Sequence, residues 1–169
     1  MKKLIFTLLA LTTVYMAIGQ TDSLNMPPYK RFPTVPPFKI LLTDSTTWFS
    51  KDDLPAKKAT MVMLFSPDCD HCKHETEEII KHMDKFKKIE IVMATPLPFE
   101  KMKEFYEHYE LAQYKNIKVG KDMAFMLPVF FSVRSLPFMA FYDKKGNLID
   151  AFEGSMPIEK VIEKFDAVD

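Results

Sequence analysis

Thr60-Met61-Val62-Met63-Leu64-Phe65-Ser66-Pro67-Asp68-Cys69-Asp70-His71-Cys72-Lys73-His74-Glu75 is the stretch whose reading decides the fold. Met61 to Phe65 form a continuous apolar run, the pattern of a strand buried on both faces. Ser66-Pro67-Asp68 breaks the run. Beyond it, Ile79, Ile80, Met83 and Phe86 recur at helical spacing, while Glu77, Glu78, Lys81, Lys85 and Lys87 fill the other face. The two cysteines therefore stand where a buried strand hands over to an amphipathic helix. At a helix start, unpaired backbone N–H groups and the helix dipole favour negative charge. The thiolate is the attacking species in thiol–disulfide exchange, so this position makes Cys69 the nucleophile. Cys72 follows one turn later on the same face, placed to attack a mixed disulfide on Cys69 and release the substrate.

Downstream, residues 89–94 read as the next strand. Strand, helix and strand take about 35 residues, the size of one right-handed βαβ unit. A second helix is expected over 98–110, with Phe99, Met102, Tyr106 and Tyr109 on its apolar face. Residues 111–121 read as a connection, and Asp122 is placed to cap a short helix that Pro128 limits. Residues 138–142 and 148–152, joined by Asp143-Lys144-Lys145-Gly146-Asn147, form an antiparallel hairpin. A last helix runs from Pro157 to Phe165, with Ile158, Val161, Ile162 and Phe165 facing inward. Upstream, 38–42 is a short strand and 43–58 a polar, turn-like region anchored by Trp48 and Leu54. The expected class is α/β: a mixed central sheet with a parallel core and helices on both faces.

The remaining chain places this domain at 38–169. Lys2 and Lys3, the apolar residues 4–18 and the small residues ending at Gly19 have the layout of a secretory signal. The apolar stretch is shorter than the roughly 20 residues that span a bilayer comfortably. Residues 1–19 are therefore expected to be a cleaved signal peptide, with no membrane span afterwards. Residues 20–37, with Pro27, Pro28, Pro33, Pro36 and Pro37, read as an extended lead-in. Removing 1–19 takes away Lys2 and Lys3 and no acid, leaving 21 basic and 23 acidic residues. The chain thus has no basic excess for a nucleic-acid backbone. Export would place the protein in a compartment where disulfides persist, the periplasm or cell envelope of a bacterium. Yet it carries only Cys69 and Cys72, and a bridge across so short a loop removes little chain entropy. The pair is a poor staple and a plausible tool.

The segment Phe65-Ser66-Pro67-Asp68-Cys69-Asp70-His71-Cys72-Lys73-His74-Glu75 resembles the active-site stretch of exported thioredoxin-like proteins of the TlpA/ResA type. A second segment, Val133-Arg134-Ser135-Leu136-Pro137-Phe138-Met139-Ala140-Phe141-Tyr142-Asp143, is similar to the stretch around that family's cis-proline. The resemblance implies a thioredoxin fold over about residues 37–167 and an oxidoreductase with a Cys69–Cys72 redox disulfide. It implies that Leu136 and Pro137 face the cysteines and that the Leu136 backbone pairs with an extended substrate segment. It also implies that Glu75 is an acid that tunes the cysteines; the alternative for Glu75 is an ordinary solvated residue of the first turn. The chain departs from many thioredoxins at Met63, where they bury an acid, and at Asp68, where an aromatic is usual. His71 would stabilise the Cys69 thiolate, while Asp70 opposes it.

Client proteins bearing thiols or disulfides and a separate redox partner are the implied partners, with no cofactor. Two other functions compete. Cys69, His71, Cys72 and His74 lie within six residues and are ligands suited to copper or zinc. However, the histidines would leave a helix in other directions than the cysteines, and a closed zinc site draws a second ligand pair from elsewhere. Only His82 and His108 remain for that, so no metal site is expected. The other competitor is a non-catalytic binding module that kept the fold, against which the intact cysteine pair argues. A thiol peroxidase needs a strongly activated cysteine, and no motif for one surrounds the pair.

Overall fold

The computed structural model describes residues 26–166, so the expected signal lies outside them. Among these residues, seven strands form one sheet: β1 (Lys39–Leu42), β2 (Trp48–Ser50), β3 (Ala59–Leu64), β4 (Ile89–Thr95), β5 (Ile117–Lys121), β6 (Phe138–Tyr142) and β7 (Leu148–Glu153). Their order is β2-β1-β5-β4-β3-β6-β7. β3, β4 and β5 run parallel to one another, and the flanking pairs are antiparallel.

The period of two along β3 sets the layers. Met61 and Met63 face one side, with Ile91 and Met93 of β4. Three helices cover that side: α2 (Asp70–Lys81), α4 (Phe99–His108) and α6 (Ile158–Asp166). Val62 and Leu64 face the other side, under α5 (Met126–Phe131), whose Leu127 and Phe131 are buried. Every residue of β3 and of β4 is buried, as strands covered on both faces must be. The arrangement is the expected mixed sheet with helices on both faces.

Several local expectations change. β5 lies inside the region read as a connection. Its Ile117 and Val119 face the core, while Lys118, Gly120 and Lys121 dilute the apolar pattern. Gly120 is there for space: a Cβ at that position would come within 2.8 Å of the Ile40 side chain on β1. Trp48 is not an anchor. It is 44% exposed, with Lys39 over its ring, and Phe49 is the buried residue of β2. Pro128 does not limit α5 but sits in its first turn, where its missing N–H costs nothing. Asp122 does serve that helix: its buried carboxylate accepts the Leu127 N–H at 2.7 Å. The helix after the cysteines ends at Lys81, and Met83–Phe86 forms a separate turn, α3. Between them His82 is half-buried, its Nδ1 3.0 Å from the Glu78 carbonyl.

The proline-rich segment is docked rather than free. Pro28–Arg31 forms a helical turn, α1, whose Tyr29 ring packs 5.9 Å from Phe131 and 6.0 Å from Phe138. The Val35 N–H donates to the Gly146 carbonyl at 2.9 Å, and the Leu148 N–H donates to the Pro33 carbonyl at 2.8 Å. These bonds run along the outer side of the β6–β7 hairpin.

Candidate active site

Cys69 is the N-cap residue of α2, in extended conformation, and Cys72 is in the first turn of that helix. Ser66-Pro67-Asp68 lets the chain leave the buried end of β3 and turn. The Cys69 N–H closes that turn on the Ser66 carbonyl at 3.1 Å. Both thiols are free. Their environments differ sharply. Cys69 is half-buried, and its Sγ lies 3.8 Å from the Leu136 carbonyl oxygen. Cys72 is 0% exposed. Burial pushes the Cys72 thiol well up; the neighbouring Cys69 and the charge of Glu75 add to this, and a bond to the Ser66 backbone opposes it.

The Leu136–Pro137 peptide bond is cis, as the resemblance implied. The Leu136 carbonyl lies against Cys69, and the Pro137 carbonyl accepts the Gly154 N–H at 2.7 Å. The Leu136 backbone is thus brought to Cys69 from just before β6, 67 residues away in sequence.

Glu75 is not a solvated first-turn residue. It is 1% exposed. Its Oε2 accepts the Met156 N–H at 3.1 Å, and its Oε1 is buried without a partner among the described residues. Burial raises the carboxyl above its ordinary value and the charge of Glu78 adds to that, while the Met156 bond and the charge of His74 pull it down. Met63, at the position where many thioredoxins bury an acid, is itself fully buried among apolar side chains. Glu75 is a buried acid whose charge acts on the Cys72 thiol.

His71 is exposed, and its backbone carbonyl accepts the Ser155 hydroxyl at 3.4 Å. Asp70 pairs with Lys73 at 3.0 Å. Asp68 pairs with Lys101 of α4 at 2.9 Å. Sequence reasoning missed Ser155, Met156 and Lys101. All three reach the site from distant elements, and none carries a local motif. Among the described residues, no three His, Cys, Asp or Glu side chains come together in a geometry that holds a metal. Of the Cys-His cluster in the sequence, His71 and His74 are exposed, Cys69 is half-buried and Cys72 is buried. No described helix is long and apolar enough to cross a membrane.

Known proteins share this fold. The family model of the thioredoxin-like domain matches residues 53–169. No curated protein sequence matches the chain. Among solved structures, the dsbF of MTB is similar at 23% identity, covering 80% of this chain and 100% of its own, with a TM-score of 0.67. A secreted Mycobacterium tuberculosis disulfide oxidoreductase homologous to E. coli DsbE is similar at 16% identity, with 77% of this chain and 95% of its own covered and a TM-score of 0.64. Peroxidoxin BcpB from the same species is similar at 14% identity, with 80% and 96% covered and a TM-score of 0.67. At these identities the likeness is one of fold, shared by proteins of different activity. The family match, over more than half of the chain and including both cysteines and Pro137, carries further: the chain belongs to the thioredoxin-like domain family.

Proposed function

We propose that the protein is an exported thiol–disulfide oxidoreductase of the TlpA/ResA type, exchanging disulfides with client proteins through Cys69 and Cys72. The observation that carries this reading is the asymmetry of the pair. One thiol is half-buried at a helix start beside a backbone carbonyl, and the other is sealed, its pKa pushed up by burial.

The exchange follows from that asymmetry. The Cys69 thiolate attacks a client disulfide, forming a mixed disulfide and expelling the client's other sulfur as a thiolate. Cys72 then gives up its proton, and its sulfur attacks Cys69. The Cys69–Cys72 disulfide forms, and the bonding pair leaves on the client's second sulfur. The client gains two electrons and the pair loses two; the reverse sequence oxidises a client dithiol. Glu75, one helical turn from Cys72, is positioned to take the proton. Leu136 offers its backbone to an extended client segment at Cys69, and Pro137 fixes that segment. His71, exposed between the cysteines, supports the Cys69 thiolate when charged. A separate redox partner resets the pair, and the sulfurs do the chemistry without a cofactor. The signal at 1–19 delivers the protein to the periplasm or cell envelope, leaving the lead-in from 20 and the domain from 38.

Trapping tests the assignment. Cys72→Ser is expected to accumulate client mixed disulfides, because nothing remains to release them, and Cys69→Ser to accumulate few or none. Equal trapping by both variants, or none by either, contradicts it.

A further inference from the structure

Resolution of a mixed disulfide moves a proton out of a sealed place. Cys72 is 0% exposed and Glu75 1% exposed, so a proton passed from one to the other still has to reach water. Glu75 also borders an opening. A cleft of about 460 Å³ lies between α2 and the start of α6, lined by His74, Glu75, Glu78, Ser155, Met156 and Glu159 among others. The partnerless Glu75 Oε1 is a buried acceptor, which costs free energy unless a water or a proton satisfies it. His74, Glu78, Ser155 and Glu159 give the cleft polar groups, and it is large enough to hold water. The charged or titratable groups that face Glu75 are Cys72, His74 and Glu78 on α2 and Glu159 on α6. Of these, His74 is exposed, and its charge acts directly on the Glu75 carboxyl. A histidine is the ordinary side chain that takes and releases protons near neutral pH.

We propose that protons pass between Glu75 and solvent through this cleft, and that His74 is the positioning residue at its mouth that exchanges them. The inference rests on the reading of Cys69 and Cys72 as a thiol–disulfide couple. In the resolving step, the Cys72 S–H proton goes to the Glu75 carboxylate and the S–H electron pair stays on sulfur. That pair forms the bond to Cys69, and the broken Cys69–client bond leaves its pair on the client sulfur. Glu75 then gives its proton through the cleft to His74, which releases it to bulk water. The enzyme thus separates the side where clients dock, at Cys69 and Leu136, from the side where protons leave.

Acid-quenched single turnovers of the reduced protein with a disulfide-linked peptide separate formation of the mixed disulfide from its resolution. His74→Ala is expected to leave formation unchanged and slow resolution by roughly tenfold near neutral pH, as loss of a proton shuttle does. Added imidazole should restore the rate. Glu75→Gln should slow the same step without rescue by imidazole. If Glu75→Gln is slow and His74→Ala keeps the parent's rate and pH profile, the route through the cleft is wrong and the role of Glu75 stands. A slow His74→Ala that imidazole does not restore also overturns the route. If Glu75→Gln resolves at the parent's rate, both the route and the role of Glu75 fall. Failure of Cys72→Ser to trap clients removes the couple itself.

Discussion

The Met156 backbone N–H donates to Glu75 Oε2 at 3.1 Å, across 81 positions of sequence. Among the described residues it is the one hydrogen bond held by that buried carboxylate, since Oε1 has no partner there. A single backbone donor does not offset burial, so the carboxyl stays above its ordinary value of 4.5.

This sets a pH dependence of stability. The folded chain binds the Glu75 proton more tightly than the unfolded chain does. The stability it contributes is complete below 4.5 and is lost as pH rises through the raised value. Denaturant unfolding between pH 4 and pH 8 should therefore lose stability more steeply with rising pH in the parent than in Glu75→Gln. Parallel curves would show that the carboxyl does not carry this linkage.

Lys101 is expected to affect the rate of attack. Its ammonium lies 2.9 Å from the carboxylate of Asp68, the residue before Cys69, the proposed nucleophile. Removing Lys101 leaves an unbalanced anion next to the Cys69 thiolate. Lys101→Met should slow attack on a neutral peptide disulfide by about twofold to threefold at low salt, and less at high salt. Asp68→Asn in the same protein should restore the rate. A slow double variant would assign the effect to shape rather than charge.

Gly120→Ala tests the contact between β1 and β5. The new Cβ would lie 2.8 Å from Ile40 Cδ1 and Cγ1 and 2.9 Å from Ile40 Cβ. The last of these atoms cannot swing away, so about 1–3 kcal/mol of stability should be lost to overpacking. Combining it with Ile40→Val should recover part of that loss. A neutral Gly120→Ala would mean the two strands separate at little cost.

Trp48 supplies an optical check. It stands on β2, four strands from β3, or about 19 Å across the sheet. Its emission should be that of an exposed indole and should not change between the dithiol and disulfide states. A large redox-dependent change would place the indole near the cysteines.

What was legible in the sequence follows from what is local. β3 and β4 announce themselves because burial on both faces demands apolar runs, Met61 to Leu64 in one and Ile91 to Ala94 in the other. The cysteines are legible because strand, break and helix are contiguous. β5 is hidden because Gly120 answers to Ile40, on a strand about eighty positions earlier, rather than to its own neighbours. Trp48 misleads because a large aromatic suggests burial, whereas an edge strand leaves one face to solvent and Phe49 takes the inner one. Glu75 is ambiguous for the same reason: a glutamate three residues after a cysteine suits both a solvated turn and a buried acid. The segment around Met156 decides between them, and that pairing has no sequence signature.

The bonds from Pro33 and Val35 to the β6–β7 hairpin bear on how the domain behaves in a crowd. β7 is a terminal strand of the sheet, and an open strand margin is a template on which another chain can add itself. The lead-in occupies the beginning of that margin. A proline there accepts a bond through its carbonyl but has no N–H to pass the ladder onward. The segment thus acts as a stopper against sheet growth between molecules. A protein cut back to residue 38 would keep its cysteines, yet would bare Gly146 and Leu148 and gain a tendency to self-associate.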